Sequence, residues 1–358
     1  MNSSFWAKRK VLVTGHTGFK GSWLGLWLQR LGANVVGYSL QPPTLPNLFD
    51  MANVSEGMVS IPGDVRDLEH LQATLAGHCP EIVIHMAAQP LVRRSYQNPV
   101  ETYTTNVIGT VNVLEAVRRS QSVRVVVCIT SDKCYENREW LWGYREDDPM
   151  GGHDPYSSSK GCAELVISAY RHSFFPAEEY PRHRVAVAST RAGNMIGGGD
   201  WAKDRLIPDA MVALMENRPV SIRFPNAIRP WQHVLDPLHG YLTLAEQLWM
   251  HGPEYAQAWN FGPRSEDART VSWIVERLNH LWGAGTGYEI DPAHHPYESP
   301  YLKLDCSKAE SLLRWSPKLR LSTALEWVVE WYRGYQRQED VRRLTEAQIA
   351  RYEGIEAA

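Results

Sequence analysis

The chain has 358 residues, and Lys+Arg 37 against Asp+Glu 40 leaves a formal net charge of −3. That length holds one large α/β domain with a smaller partner, and the near balance of charge excludes the broad basic surface that nucleic-acid binding needs. Five cysteines, Cys79, Cys128, Cys134, Cys162 and Cys306, are odd in number, far apart and without a C-x-x-C, which argues against a disulfide framework or structural zinc and for a reducing, cytoplasmic compartment.

Residues 1–10 are a polar lead-in without the apolar centre of a signal peptide, and the most apolar stretch, 123–130, is too short to cross a bilayer. Short β-branched runs then alternate with amphipathic stretches of helical length. Strands are predicted at 10–14, 34–38, 58–62, 81–86, 124–130 and 184–191, and helices at 20–31, 68–77, 100–119 and 155–174. Runs apolar on both faces, such as Val125-Val126-Val127-Cys128-Ile129, fit parallel strands covered by helices on each side, so the fold class is α/β with a doubly wound parallel sheet. After Arg191 the texture changes to Gly/Pro-rich loops and shorter helices. Residues 1–191 are expected to form a dinucleotide-binding domain to which about 228–262 returns, and 192–358 mainly a smaller α/β substrate lobe. The tryptophans at helical spacing, Trp23/Trp27 and Trp327/Trp331, read as packing.

Between the first predicted strand and helix lies Gly15-His16-Thr17-Gly18-Phe19-Lys20-Gly21. Glycines in that place let backbone approach a pyrophosphate and let the helix N-terminus face its negative charge. The end of the second strand reads Gly37-Tyr38-Ser39-Leu40, without the acidic residue that usually holds a ribose. Ser39 is able to hydrogen-bond a ribose hydroxyl and offers a 2′-phosphate no cation, which favours NAD over NADP. Asp64-Val65, after the third strand, is placed to meet an adenine, and Asp64 equally to cap a helix. His85 to Gln89 ends the fourth strand in small residues, including Ala87, that let the chain pass beside a cofactor. Asn106 falls in a helix with an apolar stripe and reads equally as a cofactor contact or a buried structural amide.

The fifth strand ends in Thr130-Ser131-Asp132-Lys133, and the next helix opens with Tyr156-Ser157-Ser158-Ser159-Lys160. A tyrosine and a lysine four apart share a helix face, and a nearby ammonium favours a phenolate able to take a proton from a hydroxyl that Ser131 also holds. The pair alone is weak evidence in a chain with 16 tyrosines; its order after the glycine turn and the polar strand end gives it meaning. His294-His295 lacks a third ligand at sensible spacing, so no metal is assigned.

These motifs resemble the extended short-chain dehydrogenase/reductase family, with its Rossmann fold, over most of the chain. Within it, Thr130 to Asn137, Trp140 to Glu146, Gly151 to Glu164 and Arg229 to Val234 resemble the sugar-nucleotide dehydratases, in which the strand end carries Thr/Ser-Asp-Glu. Here Asp132 implies a dehydratase, and Lys133 in place of Glu implies the branch acting on CDP-glucose. The resemblance implies NAD as cofactor, Ser131, Asp132, Lys133, Tyr156 and Lys160 as catalytic groups, and substrate contacts from Gln89, Asn194, Arg205, Arg229, His233 and Tyr301. Arg229 reads otherwise as a surface ion pair. Asp132 would act as acid, with Lys133 as base at C5 or as stabiliser of an enolate. A homodimer or homotetramer paired through 100–119 and 155–174 is implied, with a role in deoxysugar supply for lipopolysaccharide O-antigen. The alternatives are another sugar-nucleotide dehydratase or epimerase, and a non-catalytic dinucleotide sensor, which the intact Ser131, Tyr156 and Lys160 disfavour.

Overall fold

The computed structural model describes residues 2–293 and 301–356, so the His294-His295 pair lies outside the described residues. Seven strands form one sheet: β1 (Lys10–Thr14), β2 (Asn34–Ser39), β3 (Val59–Pro62), β4 (Ile82–His85), β5 (Val125–Ile129), β6 (Ala186–Ala192) and β7 (Ala258–Phe261). Their spatial order is β7-β6-β5-β4-β1-β2-β3, with each neighbouring pair parallel. The chain winds outward from β1 to β3 and then restarts at β4 on the other side of β1. A crevice opens at that reversal, beyond the carboxyl ends of the strands.

The sequence of β5 explains its central place. Val125, Val127 and Ile129 enter one apolar core, while Val126 and Cys128 enter the other, so both faces are covered. The covering helices include α1 (Phe19–Arg30), α2 (Leu68–His78), α3 (Gly109–Arg119) and α4 (Pro155–Ser173). The helix expected over 100–119 is not continuous: Pro99–Tyr103 leads into a π-helical turn, Thr104–Ile108, before α3. That wider turn carries Asn106 into the interior, and such turns recur at functional sites.

Further along, α5 (Leu206–Met215) packs against the strand Val220–Ile222, α6 (Leu235–His251) packs on the sheet, and α7 (Leu321–Gln336) and α8 (Val341–Glu353) follow. Among the described residues three two-stranded pairs lie outside the main sheet: Met195–Ile196 with Gln232–His233, Ile228–Arg229 with Arg269–Thr270, and Val220–Ile222 with Tyr288–Ile290. The four paired tryptophans are buried. Trp27 Nε1 donates to Glu353 (2.9 Å) and so ties α1 to α8, Trp23 Nε1 donates to the Gly198 carbonyl (3.0 Å), and Trp331 Nε1 to Thr345 (3.0 Å) joins α7 to α8.

Candidate active site

The first wall of the crevice is the glycine turn after β1. Gly15 has φ +75°, and a Cβ there would stand 2.8 Å from the Ala87 backbone. At Gly21 a Cβ would meet the Gly15 carbonyl at 2.2 Å, so that glycine seats α1 against the turn. Gly18 differs: a Cβ would meet nothing closer than 3.5 Å, and as N-cap of α1 it leaves the first helical N–H groups without a side-chain acceptor. The open space and unpaired donors fit a pyrophosphate. Phe19 is the first residue of α1. At the end of β2, Ser39 bonds Thr17 of the turn (2.9 Å).

Several residues expected to touch ligand also hold the scaffold together. His16 turns over β2, with Nε2 2.7 Å from the Ser60 hydroxyl, and burial lowers its pKa to about 4. A Cβ on Gly37 would collide with its ring. Asp64 is held by Arg66, which keeps its carboxyl below its ordinary value, and the cap of α2 is Asp67. Val65 is buried, and its carbonyl accepts from Asn112 (3.0 Å). Asn106 accepts from the Gln89 backbone N–H (2.8 Å) and donates to the Gln89 carbonyl and to Ser159 (2.8 Å), so it clamps the segment after β4 to α4. The Gln89 side chain is spent on Leu91 and Thr102. Both amides serve buried backbone here, which is the structural role that the sequence also allowed for Asn106.

The second wall carries the chemistry. Beyond β5, Ser131 Oγ lies 3.0 Å from Asp132 Oδ1, and the Lys133 backbone N–H donates to Ser131 (3.2 Å). Asp132 is 3 % exposed, and its Oδ2 has no hydrogen-bond partner among the described residues. Burial raises its pKa against the opposing pull of Lys133, Ser131 and Arg229. Across from it, Asp154 caps α4 and Pro155 starts it, which places Tyr156 and Lys160 in the first two turns, facing the strand ends. Burial pushes the Tyr156 phenol up to about 12, opposed by a hydrogen bond with Ser131 and by Arg205. The Lys160 ammonium is 6.0 Å from the Tyr156 ring centroid. Ser131 and Arg205 both favour the phenolate, and Lys160 follows Tyr156 one turn along the same helix face.

Lys160 itself is brought down to about 8 by burial, with Glu164, one turn further along α4, holding it up. Glu164 binds Arg191 (2.9 Å), Thr130 (2.5 Å) and Ser189 (2.7 Å). It therefore ties α4 to the ends of β5 and β6. The sequence reading passed over Glu164, although the spacing Tyr156, Lys160, Glu164 marks one face of one helix.

One cavity gathers Ser131, Asp132, Lys133 and Tyr156 with Asn194, Arg205 and Arg229. Arg205 pairs with Asp200 (3.1 Å), and Arg229 is buried. Lys20, from the first turn of α1, also lines the cavity. Its pKa falls to about 7 through burial and the cations Arg205 and Lys160, while Asp132 and Asp200 oppose the fall. Nothing in the sequence marked it beyond its place in the glycine turn. His233 does not line the cavity: it is 0 % exposed, edge-on to Trp23 and Trp327 at 5.8 and 5.5 Å, and lowered by burial to about 3. Tyr301 also lies off the cavity, donating to the Leu141 carbonyl (3.2 Å). In each case the side chain is turned from the cavity by a partner elsewhere: the Trp23 and Trp327 rings for His233, and the Leu141 carbonyl for Tyr301.

Comparison with known proteins accords with this geometry. The family model described as GDP-mannose 4,6 dehydratase matches residues 12–327. The chain is 54% identical over 352 residues to CDP-glucose 4,6-dehydratase of Salmonella typhimurium, covering 98% of each. Among solved structures it is similar to dTDP-glucose 4,6-dehydratase from Bacillus anthracis in complex with NAD, with TM-score 0.76, 22% identity, and 93% of this chain and 99% of that one covered. It is also similar to MoeE5 in complex with UDP-glucose and NAD, with TM-score 0.76, 26% identity, and 91% and 99% covered. The chain belongs to the GDP-mannose 4,6-dehydratase family, within the extended short-chain dehydrogenases/reductases.

Proposed function

We propose that this chain is an NAD-dependent hydro-lyase that converts CDP-D-glucose to CDP-4-keto-6-deoxy-D-glucose and water. The observation that carries this reading is the 54% identity, over 98% of both chains, to CDP-glucose 4,6-dehydratase. The glycine turn and the ends of β2 and β4 form the cofactor side, with Gly15, Gly18, Ser39 and Ala87 nearest the expected path and Lys160 toward the ribose. Bound there, NAD supplies acceptance of the C4 hydride and its return to C6.

The chain's own residues handle protons and position. Tyr156, with Ser131 on the same hydroxyl, takes the proton from O4 as C4 becomes a ketone. That ketone acidifies the C5 hydrogen. Loss of the C5 proton and cleavage of the C6–O bond give an enone, and the departing hydroxyl needs a proton to leave as water. Asp132 provides it, because burial favours its protonated form. C5 must regain a proton as C6 is reduced, and Lys133 stands on the same cavity wall to take and return that proton or to stabilise the enolate. Arg205, Arg229 and Asn194 line the path of the diphosphate.

A cytoplasmic homodimer or homotetramer, feeding deoxysugar synthesis for O-antigen, fits this reading. Exposed Tyr96, Val100, Tyr103 and Ile108, together with Leu165 of α4, give an apolar face suited to self-association. Incubation with CDP-, UDP-, dTDP- and GDP-glucose plus NAD, with products identified by NMR, tests the function. A 4-keto-6-deoxy product from CDP-glucose is expected. An epimer from UDP-glucose, with CDP-glucose unchanged, would contradict it.

A further inference from the structure

The cavity runs from Ser131, Asp132 and Tyr156 at the strand ends to a far wall built by α5 and the strand Val220–Ile222, where Asp209, Ser221, Arg223 and Phe224 line it. The reacting hexose belongs at the first end, so the nucleoside of a sugar nucleotide belongs at the second. Three carboxylates stand along this side, and two are paired. Asp200 meets Arg205 at 3.1 Å, and Asp204 meets Arg93 at 2.7 Å and Arg223 at 3.7 Å.

Asp209 lines the cavity, partly desolvated by its walls, and forms no side-chain ion pair among the described residues. The groups that pull on it are the Asp204 backbone amide and the Arg223 cation, which itself is 3.7 Å from the Asp204 carboxylate. Burial and the charge of Asp204 raise its carboxyl to about 6, so above neutral pH it is an acceptor only. An ionised, unpaired carboxylate repels a diphosphate and needs an N–H or O–H donor opposite it. Cytosine presents an amine at C4. Uracil and thymine present a carbonyl oxygen there, whose lone pairs face the carboxylate.

We infer that Asp209 is the base-reading residue of this site, accepting a hydrogen bond from the C4 amine of a cytosine nucleotide and disfavouring nucleotides with a C4 carbonyl. This assignment rests on the CDP-glucose reading. Carboxylates are the side chains that accept from the cytosine amine, and a single contact of this kind discriminates between bases by about 10- to 100-fold.

The test compares kcat/KM for CDP-glucose and UDP-glucose at pH 8 in wild type, Asp209→Asn and Asp209→Ala. The Asn variant can turn an N–H toward a C4 carbonyl, so its preference for CDP-glucose should fall by about 10- to 100-fold, partly through a gain on UDP-glucose. The Ala variant should lose activity on CDP-glucose without that gain. A preference unchanged within about threefold in both variants would overturn the assignment. An equal loss on both substrates would also overturn it, by placing Asp209 on a ribose or hexose hydroxyl. If wild type forms no product from CDP-glucose, the parent reading fails and takes the assignment with it. Product from wild type with an unchanged preference removes the assignment alone.

Discussion

Asp132→Asn should separate the two halves of the reaction, leaving C4 oxidation in place while slowing loss of water by about 10²- to 10⁴-fold, the usual contribution of a general acid. The substitution is close to isosteric and keeps an oxygen for Ser131, so Ser131 and Tyr156 remain set for the first step. What it removes is the acidic proton. Asp132 is buried, its Oδ2 is without a hydrogen-bond partner among the described residues, and its pKa is raised chiefly by burial. A single turnover of the variant with CDP-glucose should therefore accumulate a 4-ketohexose, detected by NMR after quenching. Because the acid must be protonated, elimination by wild type should decline as pH rises through the raised pKa, a limb the variant should lack. The same sign applies to stability: a carboxyl raised on folding contributes stability below its unfolded pKa and loses it as pH rises through the folded value. Wild-type rates in the variant would show that Asp132 is not the acid.

Glu164→Ala should produce the largest loss of stability, about 3–5 kcal/mol, because it strands a buried cation. Glu164 is 2 % exposed and Arg191 is 1 % exposed, with 2.9 Å between them. Burial pushes the Glu164 carboxyl up, but Arg191, Thr130 and Ser189 more than offset this, so its net pKa is lowered. After its loss Arg191 keeps the Tyr135 hydroxyl and the Glu146 carbonyl, each at 2.8 Å, but no anion. Guanidinium-chloride unfolding, read as a shifted midpoint at unchanged slope, measures the effect. Glu164→Gln, which keeps hydrogen-bonding capacity, should be milder yet still weaken the hold on Lys160. A loss below about 1 kcal/mol in Glu164→Ala would mean the network is solvated rather than buried.

Much of the sheet was legible because its strands are short apolar runs whose two faces are both buried. The predicted 10–14 matches β1, and 124–130 brackets β5 by one residue at each end. The glycine turn and the Tyr156/Lys160 pair were legible for a local reason, since a strand-to-turn-to-helix junction and a four-residue spacing are written in consecutive residues. The break in the helix over 100–119 was not, because Asn106 turns inward to serve the backbone of Gln89, 17 residues earlier in the chain. His233 and Gln89 looked available because a polar side chain in sequence carries no sign of the partner that will use it. Lys20, Glu164 and Asp209 were passed over for the converse reason: charged residues on amphipathic helices read as solvent-facing until the fold shows which of them border the cavity or the core.

The central claim, that oxidation, elimination and reduction occur at one site with the cofactor retained, is tested most directly with CDP-glucose deuterated at C4. The account predicts that the deuterium reappears at C6 of the 4-keto-6-deoxy product, and that in heavy water one solvent deuterium enters at C5. Deuterium found in released reduced cofactor, with no 6-deoxy sugar formed, would contradict it.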